Sequence, residues 1–229
     1  DWSSDVCSSD LSSKAASTAI FQDQELLGSC LVNTTMTHSQ KLMPLIHTVL
    51  EQTQLKVGDI DAYYVCEGPG SFTGVRIGIA TIIGLAQPTK KEMYTFSSMF
   101  LLASGIRNHR GLIVSLIDAK RTDVYFGVYT WREGTLMTLE EGVEALPTLL
   151  EVLSEKYPNE SILFVGDALI QYAEAFENLK HSSCLLATVN ESIPRADQLA
   201  IASVPVASKT DVSHVKANYM RKSQAERDQ

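Results

Sequence analysis

Two stretches of the chain, Ser12 to Val32 and Asp118 to Glu140, follow one plan. Each opens on a polar turn holding a lysine, Lys14 or Lys120, and continues into a strand-like run, Ala15 to Phe21 or Val124 to Thr130. A second polar turn and a second strand-like run complete each copy. Runs of this kind bounded by polar turns read as β-hairpins, so the repeat predicts one unit built twice. That limits the fold more than composition does, because each hairpin has to be completed into a sheet and covered by helices.

The second copy is introduced by LIVSLID, Leu112 to Asp118, an apolar strand ending in aspartate. The first is introduced by DWSSDVCSSDL, residues 1–11, with three Asp, four Ser and no initiator Met. This opening lacks the basic start and apolar centre of a signal peptide. It matches the in-frame translation of a common sequencing-adapter oligonucleotide. By the symmetry of the copies an apolar strand ending in Asp is expected here. Residues 1–11 are therefore expected to be an artefactual segment, with the first strand missing or replaced. Lobes are expected over 12–106 and 107–229.

Between the hairpins, THSQKLMPLIHTVLEQTQL carries Leu42, Leu45, Ile46, Val49 and Leu50 at the spacing of an amphipathic helix. Thr37 and Gln40 suit a capping box, and Pro44 is expected to kink the helix or delay its start. Ala62 to Cys66 reads as a short buried strand running into Gly68-Pro69-Gly70 and a helix from about Thr73 to Ala86. Strand, glycine turn and helix make a βα unit and imply a parallel neighbour. Ser97 is a candidate cap for the following helix. Beyond the second hairpin, helix and strand alternate again: LPTLLEVLSEKY, the strand SILFVG, a helix from Ala168 to Glu177, the apolar CLLATV and a helix near Gln198 to Ser203.

The stretch EGPGSFTGVRIGIATIIGLA, Glu67 to Ala86, tests phosphate chemistry. A Walker loop needs a lysine to reach the terminal phosphates, and Gly68 to Gly74 encloses none. A dinucleotide fingerprint is G-x-G-x-x-G, and Gly68, Gly70 and Gly74 are one residue too widely spaced. The loop reads as a turn, with Ser71 or Thr73 capping the helix. Gly74 and Gly78, with Val75 and Ile82, leave one stripe of that helix nearly free of bulk. Glycine inside a helix costs up to about 1 kcal/mol relative to alanine, so close packing is expected there, within the fold or against a partner. Arg76 then offers a charged anchor at an interface.

The remaining chemistry is sparse. A net charge of −8 opposes a direct grip on nucleic acid. No apolar run approaches the length of about 18 residues that a membrane span needs, and a cytoplasmic location is expected. Cys7, Cys30, Cys66 and Cys184 have no paired spacing, which points to reduced thiols filling space. His38 and His47 fall on opposite sides of a helix that turns about 100° per residue, so they cannot share a metal. His109, His181 and His214 lie in unrelated polar segments. Asp118 is expected to cap its turn beside Lys120 and Arg121. Lys216, Arg221, Lys222 and Arg227, with Tyr219 among them, form the one basic stretch.

GPGSFTGVRIG, preceded by THSQKLMPLI and followed by IDAKRTDVYFGVY and NYMRKSQAER, resembles the TsaB (YeaZ) family from about Ser12 to Arg227. The resemblance implies a duplicated actin/Hsp70-like (ASKHA, RNase H-like) α/β fold without catalytic, cofactor or metal residues. It implies a non-enzymatic scaffold that pairs with a TsaD-type catalytic subunit and a TsaE-type ATPase. Together they transfer threonylcarbamoyl to the adenosine beside the anticodon of tRNA, which this chain meets only through the complex. The sequence leaves open a homodimer of the free chain through the same helices as the partner. Carried over, the partner surface falls on the helices beginning at His38 and Thr73: His38, Leu42, Leu45, Ile46, Val49, Thr73, Gly74, Val75, Arg76, Gly78 and Ile82. Gln40 departs from the family's usual Glu. The alternative is an actin-fold small-molecule kinase or an M22-like metallopeptidase.

Overall fold

A computed structural model describes residues 5–23, 25–34, 38–177, 184–201, 208–210, 215, 217–218 and 220. The chain parts into two compact units, residues 1–101 with 194–218 and residues 102–193 with 219–229. The segment 194–218 therefore returns to the first unit. His181 and His214, Thr37, and the basic residues Lys216, Arg221, Lys222 and Arg227 with Tyr219 lie outside the described residues.

The first unit begins with β1 (Asp5–Asp10), β2 (Ala15–Gln22) and β3 (Glu25–Asn33), followed by α1 (His38–Thr53), β4 (Ala62–Gly68), α2 (Phe72–Thr89) and β5 (Glu92–Ser97). β1 pairs antiparallel with β2 and parallel with β4. A first strand is thus present, formed by residues of the opening segment 1–11. It ends on Asp10, as symmetry with the second copy requires, but its side chains are not the apolar ones expected. Cys7, Ser8, Ser9 and Asp10 are all buried.

The short helix α3 (Ser98–Ser104) starts where Ser97 Oγ accepts the Met99 N–H at 3.2 Å, the cap read from the sequence. The second unit then repeats the plan with β6 (Leu112–Asp118), β7 (Asp123–Arg132), β8 (Thr135–Ala145), α4 (Leu146–Lys156), β9 (Ile162–Val165), α5 (Ala168–Gln171), α6 (Ala173–Glu177) and β10 (Cys184–Leu186). The single helix expected from Ala168 to Glu177 is two short ones, broken at Tyr172. The chain closes with a 3-10 turn (Ala196–Ile201) and β11 (Ser208–Thr210), which pairs antiparallel with β5.

The strand orders β5-β4-β1-β2-β3 and β10-β9-β6-β7-β8 coincide, with β11 added at the outer side of β5. This is the duplicated actin/Hsp70-like architecture. Each unit has its own core. Leu42, Ile46, Val49, Val75, Ile79 and Ile82 of the two long helices pack with Ile20, Tyr63 and Val65 in the first. Val114, Leu116, Phe126, Leu149, Leu153 and Phe164 do so in the second. No helix among the described residues is long and apolar enough to cross a membrane.

Candidate protein interface

The glycine turn after β4 is held by the chain's own backbone. Gly68 and Gly70 have φ of +98° and +151°, the left-handed region that favours glycine. A Cβ on Gly70 would lie 2.3 Å from the Ser12 carbonyl oxygen, so only glycine fits. That same oxygen accepts the Ser71 N–H at 2.6 Å, tying the turn to the residues that follow β1. Ser71 Oγ then accepts the Gly74 N–H at 3.2 Å and caps α2. Between the two candidate caps, the structure selects Ser71. On the far side of the turn, Ser98 donates to the Pro69 carbonyl.

The expected contact residues divide by burial. Leu42, Ile46, Val49, Gly74, Val75, Gly78 and Ile82 lie in the interior of their own unit, and Leu45 is half-buried against the same core. The Gly78 stripe gives clearance to Leu11 and Val65, which a Cβ would meet at 3.7–3.8 Å, and not to a second helix. These residues set how the helices sit on the sheet of their own unit. Periodicity located the apolar face, and an apolar face is first of all the one turned to the core.

Thr73 and Arg76 are exposed. The α1 backbone includes His38, whose side chain lies outside the description. The outer face of α2 carries Phe72, Thr73, Arg76, Ala80 and Gly84, at the spacing of one helical stripe. Phe72 is 46% exposed, and the Arg76 guanidinium sits 3.8 Å from its ring centroid. That cation–π contact holds two large side chains outward at the first turn of the helix. The outer face of α1 adds Met43, at 47% exposure, and His47, whose Nδ1 lies 4.0 Å from Glu51 Oε2. α1 and α2 pack side by side. Their outer faces combine apolar bulk with charge, the mixture found at protein interfaces.

Pro44 lies inside α1 without ending it, on the exposed side, where Thr48 Oγ1 donates to its carbonyl at 2.9 Å. Lys41, one position from the buried Leu42, is itself buried. Its ammonium donates to the Lys14 and Thr34 carbonyls at 2.8 and 2.7 Å and clasps the first hairpin to the helix.

The second unit holds the polar cluster around Asp118. Asp118 Oδ1 accepts the Lys120 N–H at 2.8 Å and the Tyr172 hydroxyl at 2.7 Å, while Oδ2 pairs with the Lys120 ammonium. Asp167 Oδ1 accepts the Asp118 N–H at 3.0 Å. Burial alone would raise Asp118, but the hydrogen bonds from Lys120 and Tyr172 outweigh it and hold the carboxyl below its ordinary range. Asp167 moves the other way, raised by desolvation and then by the neighbouring Asp118 charge. The turn-capping reading of Asp118 fits this geometry. Asp167 and Tyr172 were missed by sequence reasoning, although Gly166-Asp167 stands after β9 where Gly68-Pro69-Gly70 stands after β4.

The four cysteines are free. Burial pushes Cys7 up to about 11 and Cys66 well above its usual value, so both thiols stay protonated and unreactive. Among the described residues, no group of three or more His, Cys, Asp or Glu could hold a metal ion.

Over residues 32–226 the chain matches the family model described as TsaD, tRNA N6-adenosine threonylcarbamoyltransferase. It is 28% identical over 218 residues to the tRNA threonylcarbamoyladenosine biosynthesis protein TsaB of Bacillus subtilis, spanning 95% of this chain and 94% of that protein. The TsaB protein of Escherichia coli is 28% identical over 191 residues, 80% of each chain. Among solved structures, an uncharacterised Pseudomonas aeruginosa protein with similarity to peptidase YeaZ superposes with a TM-score of 0.78 at 23% identity. It covers 95% of this chain and 100% of its own, and this likeness shows the fold.

Proposed function

We propose that the chain, which belongs to the TsaD family of tRNA N6-adenosine threonylcarbamoyltransferases and within it stands with the TsaB (YeaZ) proteins, is the non-catalytic scaffold of that modification. Its role lies in threonylcarbamoyladenosine formation on tRNA. In this reading it works in the cytoplasm as the partner of a TsaD-type catalytic subunit, with a TsaE-type ATPase, and meets tRNA only through them. The observation that carries the reading is the match to TsaB of Bacillus subtilis along nearly the whole of both chains.

The outer faces of α1 and α2 support a protein partner at this position. Phe72 and Arg76 supply an aromatic and a guanidinium at the N-terminal end of the exposed stripe, two residue types enriched at interfaces. The contact set is accordingly Thr73 and Arg76 with Phe72 and Met43, while Leu42, Ile46, Val49, Gly74, Val75, Gly78 and Ile82 shape the pair from within.

Reconstitution tests the function. Threonylcarbamoyladenosine formation with purified TsaD- and TsaE-type proteins is expected to need this chain, and unchanged product on omitting it would refute the role. Arg76→Glu is expected to weaken co-purification with the TsaD-type subunit at least tenfold while leaving Tm unchanged. If co-purification survives both Arg76→Glu and Phe72→Ala, the partner sits elsewhere.

A further inference from the structure

The two copies of the hairpin differ in the turn that follows the central strand. After β1, Leu11 and Ser12 are buried, Ser13 is half-buried, and none of Leu11 to Lys14 has a positive φ. After β6, Lys120, Arg121 and Thr122 are all exposed and all left-handed, with φ of +68°, +59° and +71°. That conformation is costly for a residue with a Cβ and most unusual for a β-branched one such as Thr122. The turn between β7 and β8 meets the same demand with Glu133 at +50° and a glycine, Gly134, at +78°. The turn between β6 and β7 has no glycine, asparagine or aspartate at its three left-handed positions. Strain of this kind persists where the surrounding contacts over-determine it, and it clusters at binding sites.

The contacts around this turn do over-determine it. Asp118 Oδ1 accepts the Lys120 N–H at 2.8 Å, and Oδ2 pairs with the Lys120 ammonium. The Asp123 N–H donates to the Lys120 carbonyl at 3.2 Å, and the Asp123 carbonyl accepts the Ala119 N–H at 3.0 Å. The Thr122 carbonyl accepts the Leu146 N–H of α4 at 2.9 Å, while its hydroxyl donates to the Arg121 carbonyl. The Thr122 N–H approaches the Tyr172 hydroxyl, which itself donates to Asp118 at 2.7 Å. The frame leaves the donors of Arg121 unclaimed. Among the described residues its guanidinium meets no carboxylate and its backbone N–H no acceptor. The guanidinium is a rigid fork that fits a carboxylate or a phosphate. The surroundings choose between them: Asp118, Asp123 and Asp167 are joined by hydrogen bonds to the same turn and the strand before it, and Lys120 is already paired. Those carboxylates oppose a chain of phosphates, whereas a single carboxylate needs only the one fork.

We infer that Arg121 is a contact point for a carboxylate of a partner protein, presented by a strained turn that Asp118 and Tyr172 hold in place. The inference rests on the function proposed above, in which the chain works beside a TsaD-type and a TsaE-type protein. It adds a contact on the second unit to the one proposed on α1 and α2. Tyr172 is a positioning residue: it touches the turn and not the partner, and acts only through Arg121.

Arginine labelling with phenylglyoxal and binding to purified TsaD- and TsaE-type proteins test it. Arg121 is expected to label readily in the free chain and to be protected in the assembled complex, as read by peptide mass spectrometry. Arg121→Ala is expected to raise Kd for one of the two proteins about tenfold or more. Arg121→Lys is expected to recover little of that loss, because an ammonium keeps the charge but not the fork. Arg121→Gly is expected to weaken binding as much as Arg121→Ala while leaving Tm unchanged or raised, since glycine takes a positive φ freely. Tyr172→Phe is expected to weaken binding when Arg121 is present and to add nothing in an Arg121→Ala background. Equal labelling of Arg121 in the free chain and the complex overturns the inference, as does a Kd that Arg121→Ala leaves unchanged for both proteins. So does a joint fall of Tm and binding in Arg121→Gly, because the residue would then belong to the fold. Protection of Arg121 by tRNA alone overturns it too, since the occupant would be a phosphate. A chain that binds neither protein refutes the proposed function and this inference with it, whereas the other outcomes leave that function standing.

Discussion

β1 and β6 occupy the same place in the two units, each central in its sheet, antiparallel to the strand that follows and parallel to the strand after the next helix. Both end on aspartate. They differ in what they bury. β6 buries Leu112, Ile113, Val114, Leu116 and Ile117 around a single serine, whereas β1 buries Cys7, Ser8, Ser9 and Asp10. Thr18 compensates part of this: its Oγ1 donates to the Ser8 carbonyl at 3.0 Å and lies 3.4 Å from Ser9 Oγ. Ser8 Oγ finds no partner among the described residues. A central strand position is thus set by backbone pairing and by the turns around it, and side-chain chemistry decides how stable the result is.

The shared feature is the sharpest constraint and gives the largest expected effect. After β4 and after β9 a glycine presses on the backbone near the end of the central strand: Gly70 on Ser12 and Gly166 on Leu116. A Cβ would stand 2.3 and 2.0 Å from those carbonyl oxygens, and both φ values, +151° and +129°, lie in the left-handed region. Gly70→Val or Gly166→Val is therefore expected to destabilise its unit by about 4 kcal/mol or more, a size reserved for steric and backbone conflicts. Chemical denaturation measures it. A loss below about 1 kcal/mol at either site would show that the turn can move away and that the constraint is not shared.

Much of this was legible in the sequence. The repeat of turn and hairpin announced the duplication, and the glycine turn announced a βα unit. The outer strands β5 and β11 were not read, because EMYTFS runs straight into a helix and SKT is too short to carry a pattern. Nor could β1 be read: DVCSSD has no apolar alternation, and only its neighbours in space make it a strand. At the candidate interface, periodicity found the helices and the faces they turn to the core. Leu42 and Ile82 repeat at helical spacing because they are core, and the outward residues Thr73 and Arg76 carry no periodic signal that separates contact from solvent.

The strand comparison itself can be broken from both sides. Counted back from the closing aspartate, Ser8 and Leu116 are equivalent, and both are fully buried. Leu116→Ser removes packing against Phe126 and buries a hydroxyl, so a loss of about 3 kcal/mol or more is expected. Ser8→Ala removes a buried hydroxyl that has no partner among the described residues, which is expected to stabilise the first unit by about 1 kcal/mol. Denaturation midpoints of the two variants against the parent chain give both numbers. Destabilisation by Ser8→Ala would mean that the hydroxyl is satisfied and that β1 is better adapted to its place than its composition indicates.

The smallest effect concerns the closing aspartates and depends on pH. Asp118 is held below its ordinary carboxylate range by Lys120 and Tyr172, so its folded value lies under its unfolded one. Its contribution is complete above the unfolded pKa of about 3.9 and is lost as pH falls through the lower folded value. Asp167, raised by desolvation, runs in the opposite sense: its stabilising share is present at low pH and is lost as pH rises through its folded value. In the parent chain the two partly cancel, so only a difference between variants isolates Asp118. Asp118→Asn removes the charge-assisted bonds to Lys120 and weakens the one from Tyr172, which is expected to cost on the order of 1 kcal/mol at pH 7. Against the parent chain, that gap in denaturation midpoint is expected to narrow as pH falls below about 4 and to close near pH 2. A gap that stays constant across this window would show that Asp118 acts through turn geometry alone, a part that Asp10 also plays when it accepts the Ser12 N–H at 3.1 Å, and would narrow the difference between the two aspartates.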